Sequence, residues 1–209
     1  MDNVVAKIAL KRASHSKRGA FLFILLALTL GASACRQSGY TPKPRGYFRL
    51  EFPEKSYQTY TSDCPFSFRI PTYASIAPDS EKASSCWIDV AFPDFNARIH
   101  LSYWPVKSEK MLYELVEDSR ELAFKHTVKA TAIDEQLIIQ PERDTYGIVY
   151  SIKGNTASSL QFFLTDSTSH YLRGALYFHE EPRIDSIRPV LEFLREDIDT
   201  LLNSLQWKR

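Results

Sequence analysis

The chain has 209 residues, with 26 basic against 25 acidic side chains and 13% aromatic content. That length fits one domain with a proper core, and the near balance of charge, with no basic stripe or RNA-binding aromatic motif, argues against a nucleic-acid partner. Five of the basic residues and one acid fall in the first 34 positions, so the remainder carries a net charge of −3.

Lys7, Lys11, Arg12, Lys17 and Arg18 precede an apolar stretch from Ala20 to Leu30, and Gly31-Ala32-Ser33-Ala34 lead into Cys35. The order is that of a bacterial lipoprotein signal: a positive segment held at the cytoplasmic face, an apolar core that partitions into the bilayer, and small residues that admit a peptidase. A spanning helix needs roughly 20 apolar residues, and Arg36-Gln37-Ser38 end this run too early. Ordinary secretory cleavage after Ala34 leaves Cys35 a free thiol, whereas lipid transfer uses it. Lipidation of Cys35 is the expectation, although Ala32 stands where many such signals carry Leu. One acyl chain binds a membrane marginally and several hold it stably, so a multiply acylated Cys35 tethers the domain without inserting it. Residues 1–34 are thus expected to be a signal peptide and 35–46 a lipid anchor with its spacer. Within that spacer Thr41-Pro42-Lys43-Pro44-Arg45 favours an extended, polyproline-like path.

Residues 47–209 are expected to form a single globular domain. Alternating aromatic and apolar positions predict strands over 47–52 and 66–70, each stopped by a proline, then over 87–92 before Pro93 and 97–104 before Pro105. The period then changes. Leu112, Leu115, Val116, Ser119, Leu122, Ala123 and His126 recur at three-and-four spacing, which predicts an amphipathic helix over 109–126 with Ser108 as its cap. Strands resume at 135–139, 146–152, 159–165 and 171–178, with turns at Lys153-Gly154-Asn155 and at Asp166 to Ser169. A last helix carries the stripe Ile187, Val190, Leu191, Leu194, Ile198, Leu201 and Leu205, with Asp185 or Ser186 as its cap and Pro189 in its first turn. Two blocks of strands, each followed by a helix, make an α+β fold in which an antiparallel sheet is flanked by two main amphipathic helices. This order resembles the PsbP and Mog1-like topology, a likeness that carries no function.

Cys64 and Cys86 remain after Cys35. In an exported chain such a pair is expected to close as a disulfide, stabilising the fold by about 3 kcal/mol in the chain-entropy model. A catalytic thiol needs a nearby base or a C-x-x-C pair, and neither cysteine sits in one. His100, His126, His170 and His179 form no metal-ligand spacing, so no metal or cofactor is expected. His179-Glu180-Glu181 is the best metal candidate, but neighbouring strand residues point to opposite faces. Asp166, Ser167 and His170 hold the residue types of a hydrolase triad, yet they crowd one turn and no nucleophile elbow exists. They read as a hairpin turn, and the chain reads as no enzyme. A second reading is a periplasmic ligand-binding module with a cleft lined by aromatics such as Tyr103 and Trp104.

An ordered set of phrases spans nearly all of the chain after the signal: Pro42 to Tyr47, Cys64-Pro65, Cys86-Trp87, Tyr146-Gly147, Gly154 to Ser158, Gln161-Phe162, Thr165-Asp166-Ser167, Gly174 to Phe178 and Asp185-Ser186-Ile187. Together with the lipoprotein cysteine this set resembles the GldD family of gliding-motility lipoproteins from Bacteroidetes. The resemblance implies a membrane-anchored envelope lipoprotein required for gliding and tied to type IX protein secretion, with proteins of that machinery as partners. It implies no enzymatic activity and hands over no catalytic residues. What carries across is the lipid site Cys35 and, by position, the pair Cys64 and Cys86. The stretch after Cys35 lacks an acidic run of the kind that marks surface export, which favours a domain facing the periplasm.

Overall fold

In the computed structural model the described residues are 50–78, 86–179 and 183–208. The signal segment, Cys35 and the spacer lie outside them, as do Glu180 and Glu181 of the metal candidate. Two antiparallel sheets organise the domain. The smaller has the order β1 (Tyr57–Thr61), β2 (Phe66–Pro71) and β10 (Gln206–Trp207). The larger has the order β3 (Ser75–Pro78), β4 (Ile88–Phe92), β5 (Ala97–Pro105), β9 (His170–Phe178), β8 (Ser158–Thr165), β7 (Thr145–Gly154) and β6 (Ala130–Gln140). Helix α1 (Glu109–Phe124) follows β5, and α2 (Ile184–Ser204) follows β9. The fold is α+β with antiparallel sheets and two main helices.

Strand alternation sends each sheet residue to one of two apolar cores. Ile99, Leu101, Leu160, Phe162, Leu164, Leu172 and Leu176 turn to the face covered by α2 and the small sheet, where they meet Phe66, Phe68, Leu194, Ile198 and Leu201. Tyr150, Ile152, Phe163 and Tyr171 turn to the opposite face and meet α1 through Ala123, Leu115 and Val116. Each helix therefore buries its stripe on a different side of one sheet. Gly174 permits a close crossing within the first core, since a Cβ there would lie 2.1 Å from the Phe162 ring.

Two hairpin links share one device. Pro93 and Pro141 each open a single 3-10 turn that closes on a left-handed residue, Asn96 at φ 48° and Asp144 at φ 49°, whose N–H returns to the proline carbonyl. Short polar side chains tolerate that conformation better than most.

Several expectations need correction. The strand predicted over 47–52 is absent at residues 50–52, which have no regular structure; 47–49 lie outside the described residues. The partner of β2 is instead Tyr57–Thr61, whose mixed polar sequence at a sheet edge carries little hydrophobic pattern. Strand β6 is longer than predicted because pairing with β7, not side-chain burial, sets its length. Ser108 caps α1, accepting from the Met111 N–H at 3.2 Å, and the end predicted at His126 tightens into a 3-10 turn over Lys125–Val128. Helix α2 begins before its expected caps, so Asp185 and Ser186 lie inside it and Pro189 falls in its second turn. The Ile184 N–H is satisfied by Asn155 Oδ1 at 2.9 Å, a cap supplied from the β7–β8 turn.

Candidate functional site

Cys64 and Cys86 are joined as a disulfide with Cα atoms 5.5 Å apart. It ties the segment entering β2 to the segment entering β4, each cysteine two residues ahead of its strand, and so links the small sheet to the large one. Both sulfurs belong to the fold.

Asp166 organises the β8–β9 turn. Its Oδ1 accepts the N–H groups of Thr168, Ser169 and His170 at 2.8–2.9 Å. Burial pushes this carboxyl up, but the backbone donors outweigh it and hold it below its ordinary range. Ser167 is exposed, at φ 66°, and its N–H donates to Thr165 Oγ1. His170 turns elsewhere, its Nδ1 lying 2.8 Å from the Tyr103 hydroxyl and its ring stacked on Trp207 at 5.2 Å. The three residue types share a turn without forming a triad. The hydroxyl and ring of Tyr103 lie in the α2-side core, whereas Trp104 packs on Trp87 and Tyr171 on the other face. Alternation along β5 thus keeps these two aromatics from lining one cleft.

Two polar clusters occupy the α1 face beside the helix. On β4 and β5, His100 Nδ1 lies 2.5 Å from Asp89 Oδ1, and Arg98 donates to Asp89 Oδ2 at 3.3 Å. Two strands across, Arg173 donates to Gln161 Oε1 at 2.7 Å, and Gln161 Nε2 lies 2.9 Å from His126 Nε2. Arg173 fixes the amide orientation, so Gln161 Nε2 donates and His126 Nε2 accepts. The imidazole is therefore neutral with its proton on Nδ1. Burial, and then the Arg173 charge, push the His126 pKa down from its ordinary 6.5, in agreement with that state. Arg173 Nε is buried without an acceptor, and among the described residues no carboxylate pairs with this guanidinium.

A third cluster is buried against α2. Asp197, 2% exposed, takes Lys55 Nζ at 2.8 Å, the Tyr57 hydroxyl at 3.0 Å and the Tyr73 hydroxyl at 2.5 Å. Lys55 also donates to the Phe193 carbonyl and sits 3.4 Å above the Phe193 ring. Burial first, and the Asp197 carboxylate after it, hold both phenols above their ordinary value. This cluster fastens the segment leading into the domain onto its last helix.

Of these residues only His100 and His126 stood out in the sequence as candidate ligands, and neither was matched there to its partner. A signal existed for two of the clusters. Asp197 interrupts the apolar stripe of α2 at a core-facing spacing, and Asp89 and His100 alternate with apolar residues on paired strands. Arg173, Gln161 and His126 come from three separate elements and left no pattern to read. Among the described residues no group of three or more His, Cys, Asp or Glu side chains is placed to hold a metal ion, and no helix is long and apolar enough to cross a membrane.

These features define a disulfide-linked α+β domain, with a helix on each face of an antiparallel sheet and hydrogen-bonded polar clusters beside one of them. A family model for the gliding motility lipoprotein GldD matches residues 37–207, and the chain belongs to that family. Membership makes it a gliding-motility lipoprotein, held at a membrane of the cell envelope. No curated protein matches the chain. Among solved structures it is similar to the solution structure of cyanobacterial PsbP (CyanoP) from Synechocystis sp. PCC 6803. That likeness has a TM-score of 0.49 at 10% identity, covering 77% of this chain and 97% of the other.

Proposed function

We propose that the protein is a non-enzymatic, lipid-anchored component of the gliding apparatus and of the type IX secretion machinery on which gliding adhesins depend. Acylated Cys35 holds it to the membrane, residues 36–46 set its reach, and the domain over 47–209 faces the periplasm and engages proteins of that machinery. The observation that carries the reading is the family match, which begins at residue 37, two residues beyond Cys35. The internal use of His126 and His170 in hydrogen bonds within the fold supports a binding role over a catalytic one. The test is deletion of the gene in a strain whose remaining machinery is intact. Spreading over surfaces and secretion of the adhesins should both be lost. A deletion strain that spreads and secretes normally sinks the proposal, and one that secretes but does not spread confines the role to motility.

A further inference from the structure

The large sheet has two edges. At one edge the described part of β3 is the four residues Ser75–Pro78. At the other edge β6 runs for eleven residues, and among the described residues it pairs with β7 alone. Its Asp134 is neutralised by Lys153 at 2.6 Å. Its last five residues, Gln136-Leu137-Ile138-Ile139-Gln140, contain no charge, proline or glycine. Leu137 and Ile139 lie on the α1 face and are 68% and 67% exposed. A long apolar edge with unpaired backbone groups is a template for another strand.

We propose that this edge pairs with β6 of a second copy of the chain, antiparallel and two-fold symmetric about Ile138. The segment is chemically palindromic, which is what an isologous contact requires. Directly opposed residues in such a pair must share a sheet face, so only symmetric registers centred on a residue are open. Centring on Asp134 or Glu135 sets like charges against each other. Centring on Gln136 or Leu137 sets the Glu135 carboxylate against an exposed aliphatic side chain. Centring on Ile138 sets Leu137 against Ile139 twice and Gln136 against Gln140 twice, and pairing ends where Pro141 turns the chain away. The result is one sheet continuous through two copies.

The test uses the exported chain with Cys35→Ser to remove the lipid. Sedimentation should give twice the monomer mass. The double variant Leu137→Lys, Ile139→Lys, altered only at exposed positions, should sediment as a folded monomer with unchanged far-ultraviolet circular dichroism. A monomeric wild type, or a dimer that survives the double variant, overturns the proposal. Under mild oxidation an equal mixture of the Leu137→Cys and Ile139→Cys chains should form a mixed cross-linked dimer, and neither chain alone should do so. Cross-linking within either single variant overturns the register. A monomeric wild type whose β6 amides gain hydrogen-exchange protection only with another envelope protein overturns self-pairing and gives the edge to that protein.

Discussion

At Asp197 a carboxylate that is only 1% exposed serves one ammonium and two phenols. Removing one partner of a buried pair strands the other, which costs about 3 kcal/mol, whereas replacing both with apolar groups is often neutral. Asp197→Leu should therefore lower the urea midpoint sharply, and the double change Lys55→Met, Asp197→Leu should recover a good part of it. Equal losses in both variants would show that packing, not the stranded charge, sets the cost. His126 gives a pH signature. Its folded pKa lies below 6.5, so the unfolded chain binds the extra proton first and stability falls as pH drops through that value. The wild type should thus lose more stability than His126→Gln between about pH 7.5 and about pH 5.5, the window in which an ordinary imidazole titrates. Parallel losses in urea titrations would rule out this histidine as the source.

Elements show how local pattern and tertiary pairing divide the work. Helix α1 was legible because its cap, stripe and length all lie within one stretch of sequence. Helix α2 was legible in its stripe but not in its start, since the group satisfying Ile184 is Asn155, from a turn 29 residues earlier. Strand β5 and most of β7 alternate because one face is buried, whereas β8, buried along its whole length, was legible from its apolar and aromatic content between turns. β1, β3 and β10 are short edge or pairing segments whose existence depends on a partner strand. The disulfide acts at this scale too, closing a loop with a sequence separation of 22. Cys64→Ser with Cys86→Ser should cost about 3 kcal/mol by the loop-entropy account. Chemical denaturation measures it, and a change below about 1 kcal/mol would mean that the unfolded chain already holds the two ends close.

For the whole molecule, family membership and the position of Cys35 bear on where the domain works. Cys35→Ala should leave a folded domain that no longer fractionates with membranes, because the described residues include no spanning helix to replace the lipid. Membrane fractionation of the variant gives the answer, and retention in the membrane pellet would point to an uncleaved signal anchor. The same variant separates two contributions to motility: a released but folded domain that still supports spreading would show that tethering is dispensable.

By itself the sequence determined the α+β class, the two helices and the family, because each is written in contiguous stretches whose hydrophobic period or residue order is local. It also carried the hairpin reading of Asp166, whose side chain bonds to the backbone of its own turn. Only the tertiary structure decided which polar residues meet. Arg173, Gln161 and His126 are brought together by strand register and by the end of a helix, and Asp197 finds Lys55 across the fold. Register also left Leu137 and Ile139 outside the core, on a strand that among the described residues pairs on one side alone. The physical reason is that a single segment fixes its own period, whereas the partner of each face is set by how all the strands pair.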